Sequence, residues 1–86
     1  MRRPILAGNW KMNTCRESAG SLTAAIAEQV PASRDDVEVI VCPPAVYLET
    51  VLSVAKGSGL QVGGQNASDQ DPGAFTGETS CTMLTD

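Results

Sequence analysis

The sequence contains no histidine. Its cysteines, Cys15, Cys42 and Cys81, are far apart, odd in number and never in a C-x-x-C pair. A zinc site needs ligands of the right kind at close spacing, so no metal is expected, and the three thiols read as free in a reducing compartment. Rings make up only 3% of the chain, as Trp10, Tyr47 and Phe75. No stretch approaches the roughly 20 apolar residues of a membrane span. Gly8-Asn9 breaks the apolar run near the start, which argues against a signal peptide, so a cytoplasmic location is expected. Positive charge is sparse too: six Lys and Arg against ten Asp and Glu leave a net charge of −4. Nucleic acid demands clustered Lys and Arg and is disfavoured as a partner. A single phosphorylated metabolite stays compatible, because it needs one local positive field and not a positive protein.

What is present is an alternating pattern within 86 residues, a length that suits one small domain or part of a larger one. Ile5-Leu6-Ala7 reads as a buried strand between Pro4 and Gly8. Thr14 and Glu17 form a T-x-x-E capping box, which predicts a helix starting near Thr14 to Arg16. Ala19, Leu22, Ile26 and Val30 continue it as one apolar stripe, and Pro31 stops it. Val37 to Cys42 is β-branched and reads as a parallel strand covered on both faces. Pro43-Pro44 ends that strand and opens a second helix, with Tyr47, Leu48, Val51, Leu52 and Ala55 on one face. Gly57 and Gly59 terminate it. Leu60 to Gln65 reads as a third strand, in which Gly63-Gly64 points to a close backbone approach. Asn66 to Thr79 is a long polar loop, and Thr79 or Ser80 can cap a further helix opening with Met83-Leu84.

The order β-α-β-α-β, loop, α implies a parallel sheet with right-handed crossovers. A doubly wound sheet and a (β/α)₈ barrel both fit, and both bind ligands at the carboxyl ends of their strands. Asn9 and Lys11 lie two apart where the first strand ends. In extended backbone such positions share a face, so an amide and a cation can converge on an anion. By itself that pairing equally describes a turn-forming Asn and a solvated Lys. Cys42-Pro43-Pro44 reads as a rigid strand exit. No G-x-x-x-x-G-K-[ST] occurs, and no G-x-G-x-x-G follows a strand, so neither a P-loop nor a dinucleotide site is expected. Phe75 at the tip of a polar loop either folds back onto that loop or faces a partner.

Four segments carry a family resemblance: A-G-N-W-K-M-N at 7–13, V-C-P-P-A-V-Y-L at 41–48, G-G-Q-N at 63–66 and G-A-F-T-G-E at 73–78. In that order and spacing they resemble triose-phosphate isomerase. The resemblance implies a (β/α)₈ TIM barrel, of which residues 1–86 would supply strands one to three, helices one and two and the start of helix three. It implies interconversion of dihydroxyacetone phosphate and glyceraldehyde 3-phosphate in glycolysis and gluconeogenesis, with no cofactor. Asn9 and Lys11 are similar to the family's substrate-binding Asn and catalytic Lys. The resemblance also implies a Glu base and a neutral His electrophile, and nothing in 1–86 matches either. A barrel of this kind runs to about 250 residues, so the chain is expected to be an N-terminal portion, inactive alone.

The resemblance further implies a homodimer through the Asn66–Thr79 loop, inserted beside the partner's active site. Thr76 is similar to the residue that contacts the partner's Asn at the Asn9 position, and Glu78 to one that pairs with a later Arg. Met12 would line the pocket receiving the partner's loop, and Phe75 would be covered there. Cys15 falls near that interface. Thr79 departs from the family by replacing a more usual apolar residue. The alternative reading is a non-enzymatic β/α binding or assembly module that presents Asn66–Glu78 to a partner.

Overall fold

The structure, a computed structural model, describes residues 2–86. Strand β1 (Ile5–Asn9), helix α1 (Arg16–Glu28), strand β2 (Glu38–Cys42), a 3-10 turn (Ala45–Tyr47) running into helix α2 (Leu48–Ala55), strand β3 (Gln61–Val62) and a short helix α3 (Cys81–Thr85) follow in order. The three strands form one parallel sheet in the order β1-β2-β3, an α/β arrangement of the kind the alternating pattern predicts. Ile5 lies opposite Glu38 and Asn9 opposite Cys42, while Ile40 lies opposite Gln61. Side chains alternate across a strand. Val39, Val41 and Val62 therefore turn to the helices, and Ile5, Ala7, Asn9, Ile40 and Cys42 to the opposite face.

The core lies between the sheet and the helix pair, built from Trp10, Ala19, Val41, Val51, Ala55 and Leu60. Strand β1 is exposed along its whole length, against the expectation of a buried strand. It is an edge strand, and the core forms over β2 and β3, so Ile5 and Leu6 stay more than half exposed. Strand β3 is shorter than Leu60–Gln65, pairing with β2 at Gln61 and Val62. One further bond, from the Gly63 N–H to the Val41 carbonyl at 2.9 Å, continues its pairing.

Helix α1 is capped one residue later than the T-x-x-E pattern predicts. Cys15 is the N-cap, its Sγ accepting from the Ser18 N–H while Ser18 Oγ accepts from the Cys15 N–H at 2.9 Å. Thr14 cannot serve, because an N-cap needs extended backbone and Thr14 has φ 82°. The buried stripe also differs: Leu22 is 42% exposed and Thr23 is wholly buried. Positions 19, 23, 26, 27 and 30 make the helix-facing row. Thr23 is tolerated there because its hydroxyl donates to the Ala19 carbonyl at 2.7 Å, leaving no unpaired polar atom.

Val51 and Ala55 bury the core face of α2, whereas Leu52 stays 53% exposed. Gly57 ends the helix with φ 88°. Gly59 serves a different purpose: a Cβ there would lie 2.7 Å from the Pro31 carbonyl oxygen, and its N–H donates to the Val30 carbonyl at 2.7 Å. The two turns at the amino end of the sheet are thereby locked together. Ser80 caps α3 by accepting from the Met83 N–H at 3.2 Å, and Leu84 packs against Gly64. Among the described residues no helix is long and apolar enough to cross a membrane.

Candidate functional site

The carboxyl ends of β1, β2 and β3 meet at one carbonyl. Cys42 O accepts from the Trp10 N–H at 3.1 Å and from Gln65 Nε2 at 2.9 Å. The same Gln65 nitrogen donates to the carbonyl of Lys11 at 2.8 Å. The segment after β3 is thus tied to the strand exit of β2 and to the loop after β1. Gln65 does not stand out in the sequence, since G-G-Q-N reads as a strand end. Only the register of the three strands brings it to Lys11.

Lys11 does not continue the strand. Its φ is 57°, in the left-handed region that costs a non-glycine residue roughly 1–2 kcal/mol. The expectation that Asn9 and Lys11 share a strand face is therefore corrected: alternation ends at Asn9, and the two meet through a turn. The Asn9 side chain makes that turn, Oδ1 accepting from the Lys11 N–H at 2.9 Å, a local bond that Asn forms readily. Asn13 closes the loop from the other side, its Nδ2 donating to the Trp10 carbonyl at 2.8 Å. Trp10 itself is in the core. The result is a rigid backbone carrying an exposed Lys11 side chain. Among the described residues the ion pairs are Arg3–Glu38 and Arg34–Asp36, so no carboxylate neutralises Lys11.

The acidic groups sit elsewhere. Glu38 opens β2 at the end of the sheet opposite Asn9, paired with Arg3 at 3.1 Å and taking a bond from Gln61 at 3.4 Å. Glu17 and Glu28 lie on α1 and Glu49 on α2. Among the described residues none of them forms an ion pair with Lys11. A cleft of about 620 Å³ lies between α2, the end of β3 and α3 and is lined by Val46, Leu52, Val62 and Leu84 among others. It contains neither Asn9 nor Lys11, and Glu49 and Asp86 on its wall oppose an anion. Of these two places, only the open corner at Lys11 presents a cation without a carboxylate partner among the described residues.

The residues expected at an interface are all at the surface. Met12 is 96% exposed and Phe75 48%, and Thr76 and Glu78 are exposed. Phe75 packs back over Gly73 of its own loop, 3.5 Å from where a Cβ would be, and about half its surface stays exposed. The loop that carries it is closed at its base by the Ser68 N–H donating to the Thr79 carbonyl at 2.7 Å. Within the loop the Glu78 N–H bonds the Phe75 carbonyl, and Gly77 supplies φ 83°.

All three cysteines are free. Cys15, at the start of α1 beside this corner, has its thiol pKa lowered, chiefly by the hydrogen bond with the Ser18 side chain and then by the Ser18 backbone N–H. Thr14 Oγ1, next to it, is buried without a hydrogen-bond partner.

A model of the triosephosphate isomerase family matches residues 4–86.

Proposed function

The chain belongs to the triosephosphate isomerase family, and from that membership we propose that the protein it forms interconverts dihydroxyacetone phosphate and D-glyceraldehyde 3-phosphate through an enediolate. The supporting observation is the corner at the end of β1: an exposed, unpaired Lys11 on a backbone fixed by three amide side chains. A cation held in place before substrate arrives stabilises the phosphate and the charge that develops on the enediolate without reorganisation at the moment of reaction. Asn9 contributes beside it. Its Oδ1 is taken by the Lys11 N–H, which leaves Nδ2 as the donor for a substrate oxygen.

Proton transfer needs groups that these 86 residues do not hold in place. The sequence has no histidine, and among the described residues no glutamate pairs with Lys11. The acid and base come from the remaining strands of a (β/α)₈ barrel, in which β1, β2 and β3 are neighbours. In the same reading the Asn66–Thr79 loop joins two copies into a dimer in the cytoplasm, with Met12, Phe75, Thr76 and Glu78 in the contact. The exposure of all four supports that use, and the closed loop base makes it a preformed projection.

The test is complementation. The 86 residues are assayed for triose-phosphate turnover alone, and again joined to a segment that supplies the other strands. No turnover alone and turnover once joined is the expected result. Turnover by the 86 residues alone that disappears in Lys11→Ala would overturn the division of labour proposed here.

A further inference from the structure

Lys11 is useful to an anion only if its side chain leaves the backbone in one direction, and that direction depends on an unfavourable φ of 57°. A left-handed lysine persists only where its surroundings over-determine it. The peptide plane between Trp10 and Lys11 carries the carbonyl of Trp10 and the N–H of Lys11, and φ of Lys11 is the rotation measured from that plane. Both groups are held by side-chain amides. Asn9 Oδ1 accepts from the Lys11 N–H at 2.9 Å, and Asn13 Nδ2 donates to the Trp10 carbonyl at 2.8 Å. The next carbonyl, that of Lys11 itself, is held by Gln65 at 2.8 Å.

We infer that Asn13 is a positioning residue for Lys11. It touches no substrate; it acts by fixing, from the side opposite Asn9, the one peptide plane that sets the lysine's direction. Asn13 is itself surface-exposed and belongs to no helix or strand. Among the described residues its side chain bonds only the Trp10 carbonyl. Removing the amide frees the plane while leaving the Trp10 ring in the core and the sheet intact. The inference rests on the reading of Lys11 as the substrate-binding cation, and the experiment separates the two.

Asn13→Ala, Asn13→Gln and Lys11→Ala are compared with the parent in the complete isomerase. The readouts are kcat, KM, the thermal midpoint and competitive inhibition by inorganic phosphate. Loss of one held hydrogen bond in Asn13→Ala is expected to raise the phosphate inhibition constant roughly fivefold. It should lower kcat/KM at least as much, with a cooperative melt retained and partial recovery in Asn13→Gln, which keeps the donor. The inhibition constant is insensitive to a reduced fraction of active molecules, so a merely structural role would lower kcat and leave it unchanged. That pattern, or parent values throughout for Asn13→Ala while Lys11→Ala is inactive, overturns the positioning role alone. Parent-like turnover in Lys11→Ala overturns the reading of Lys11 beneath it.

Discussion

The Gln65 amide donates to the Lys11 carbonyl at 2.8 Å across 54 residues of sequence. The contact joins the first and third strand exits, and its second bond, to Cys42 O at 2.9 Å, adds the middle one. Gln65→Ala deletes both. Two exposed hydrogen bonds contribute about 1 kcal/mol together once water replaces them. Urea unfolding should show a loss of that order, with a larger relative loss of kcat/KM in the complete enzyme, because Lys11 loses one of its three restraints. A fall in stability with turnover unchanged would mean that Gln65 serves the sheet and not the lysine.

Gly59 is the position least able to accept a side chain. The Pro31 carbonyl stands 2.7 Å from its missing Cβ, and the obstructing atom is backbone. Gly59→Ala must push the α1–β2 turn away from the α2–β3 turn and strain the 2.7 Å bond to Val30. Forced overpacking of this kind costs typically about 1–3 kcal/mol. A denaturation midpoint equal to the parent's would contradict the close approach.

Thr14 shows the opposite case. A β-branched residue at φ 82° with a buried, unpaired hydroxyl bears two costs at once. Thr14→Gly relieves both at the expense of a more flexible unfolded chain. The expected balance is a gain of about 1 kcal/mol, read as a raised thermal midpoint.

Cys15 gives a pH-dependent signal. Its thiol pKa is lowered by the Ser18 hydroxyl and N–H, so at neutral pH a larger fraction is thiolate than in free cysteine, and the thiolate is the reactive form. The alkylation rate against pH should therefore reach its midpoint at lower pH than free cysteine does. Ser18→Ala moves that midpoint up and slows the reaction at neutral pH. A midpoint unmoved by Ser18→Ala would show that the side-chain bond does not control the thiol.

The order of elements could be read from the sequence because each boundary carries its own chemistry: Val37 to Cys42 is β-branched, Pro43-Pro44 cannot pair, and Gly57 supplies a left-handed turn. The misreadings share one physical origin, which is that local pattern says nothing of what another segment supplies. Thr14 looks like an N-cap until its backbone turns left-handed, and the cap passes to Cys15. Leu22 looks like core until the packing of α1 on α2 selects Thr23, whose hydroxyl is satisfied within its own helix. Strand β1 looks buried from its apolar run, but its burial depends on neighbours other than β2. At the site, Asn9 and Lys11 were legible as a pair, although the turn that joins them was not. Asn13 and Gln65 had no local signal, since their importance lies in carbonyls reached only after the loop closes and the sheet assembles.

The central claim is that Lys11, unpaired and held at the end of β1, is the cation on which isomerisation depends. Its most direct test is kcat/KM for dihydroxyacetone phosphate in the complete enzyme, with Lys11→Ala set beside the parent. Loss of a preorganised charge from a site of this kind predicts a fall of about a hundredfold or more, with the thermal midpoint little changed because Lys11 is exposed and makes no ion pair among the described residues. A kcat/KM within threefold of the parent would show that the reaction does not pass through this corner.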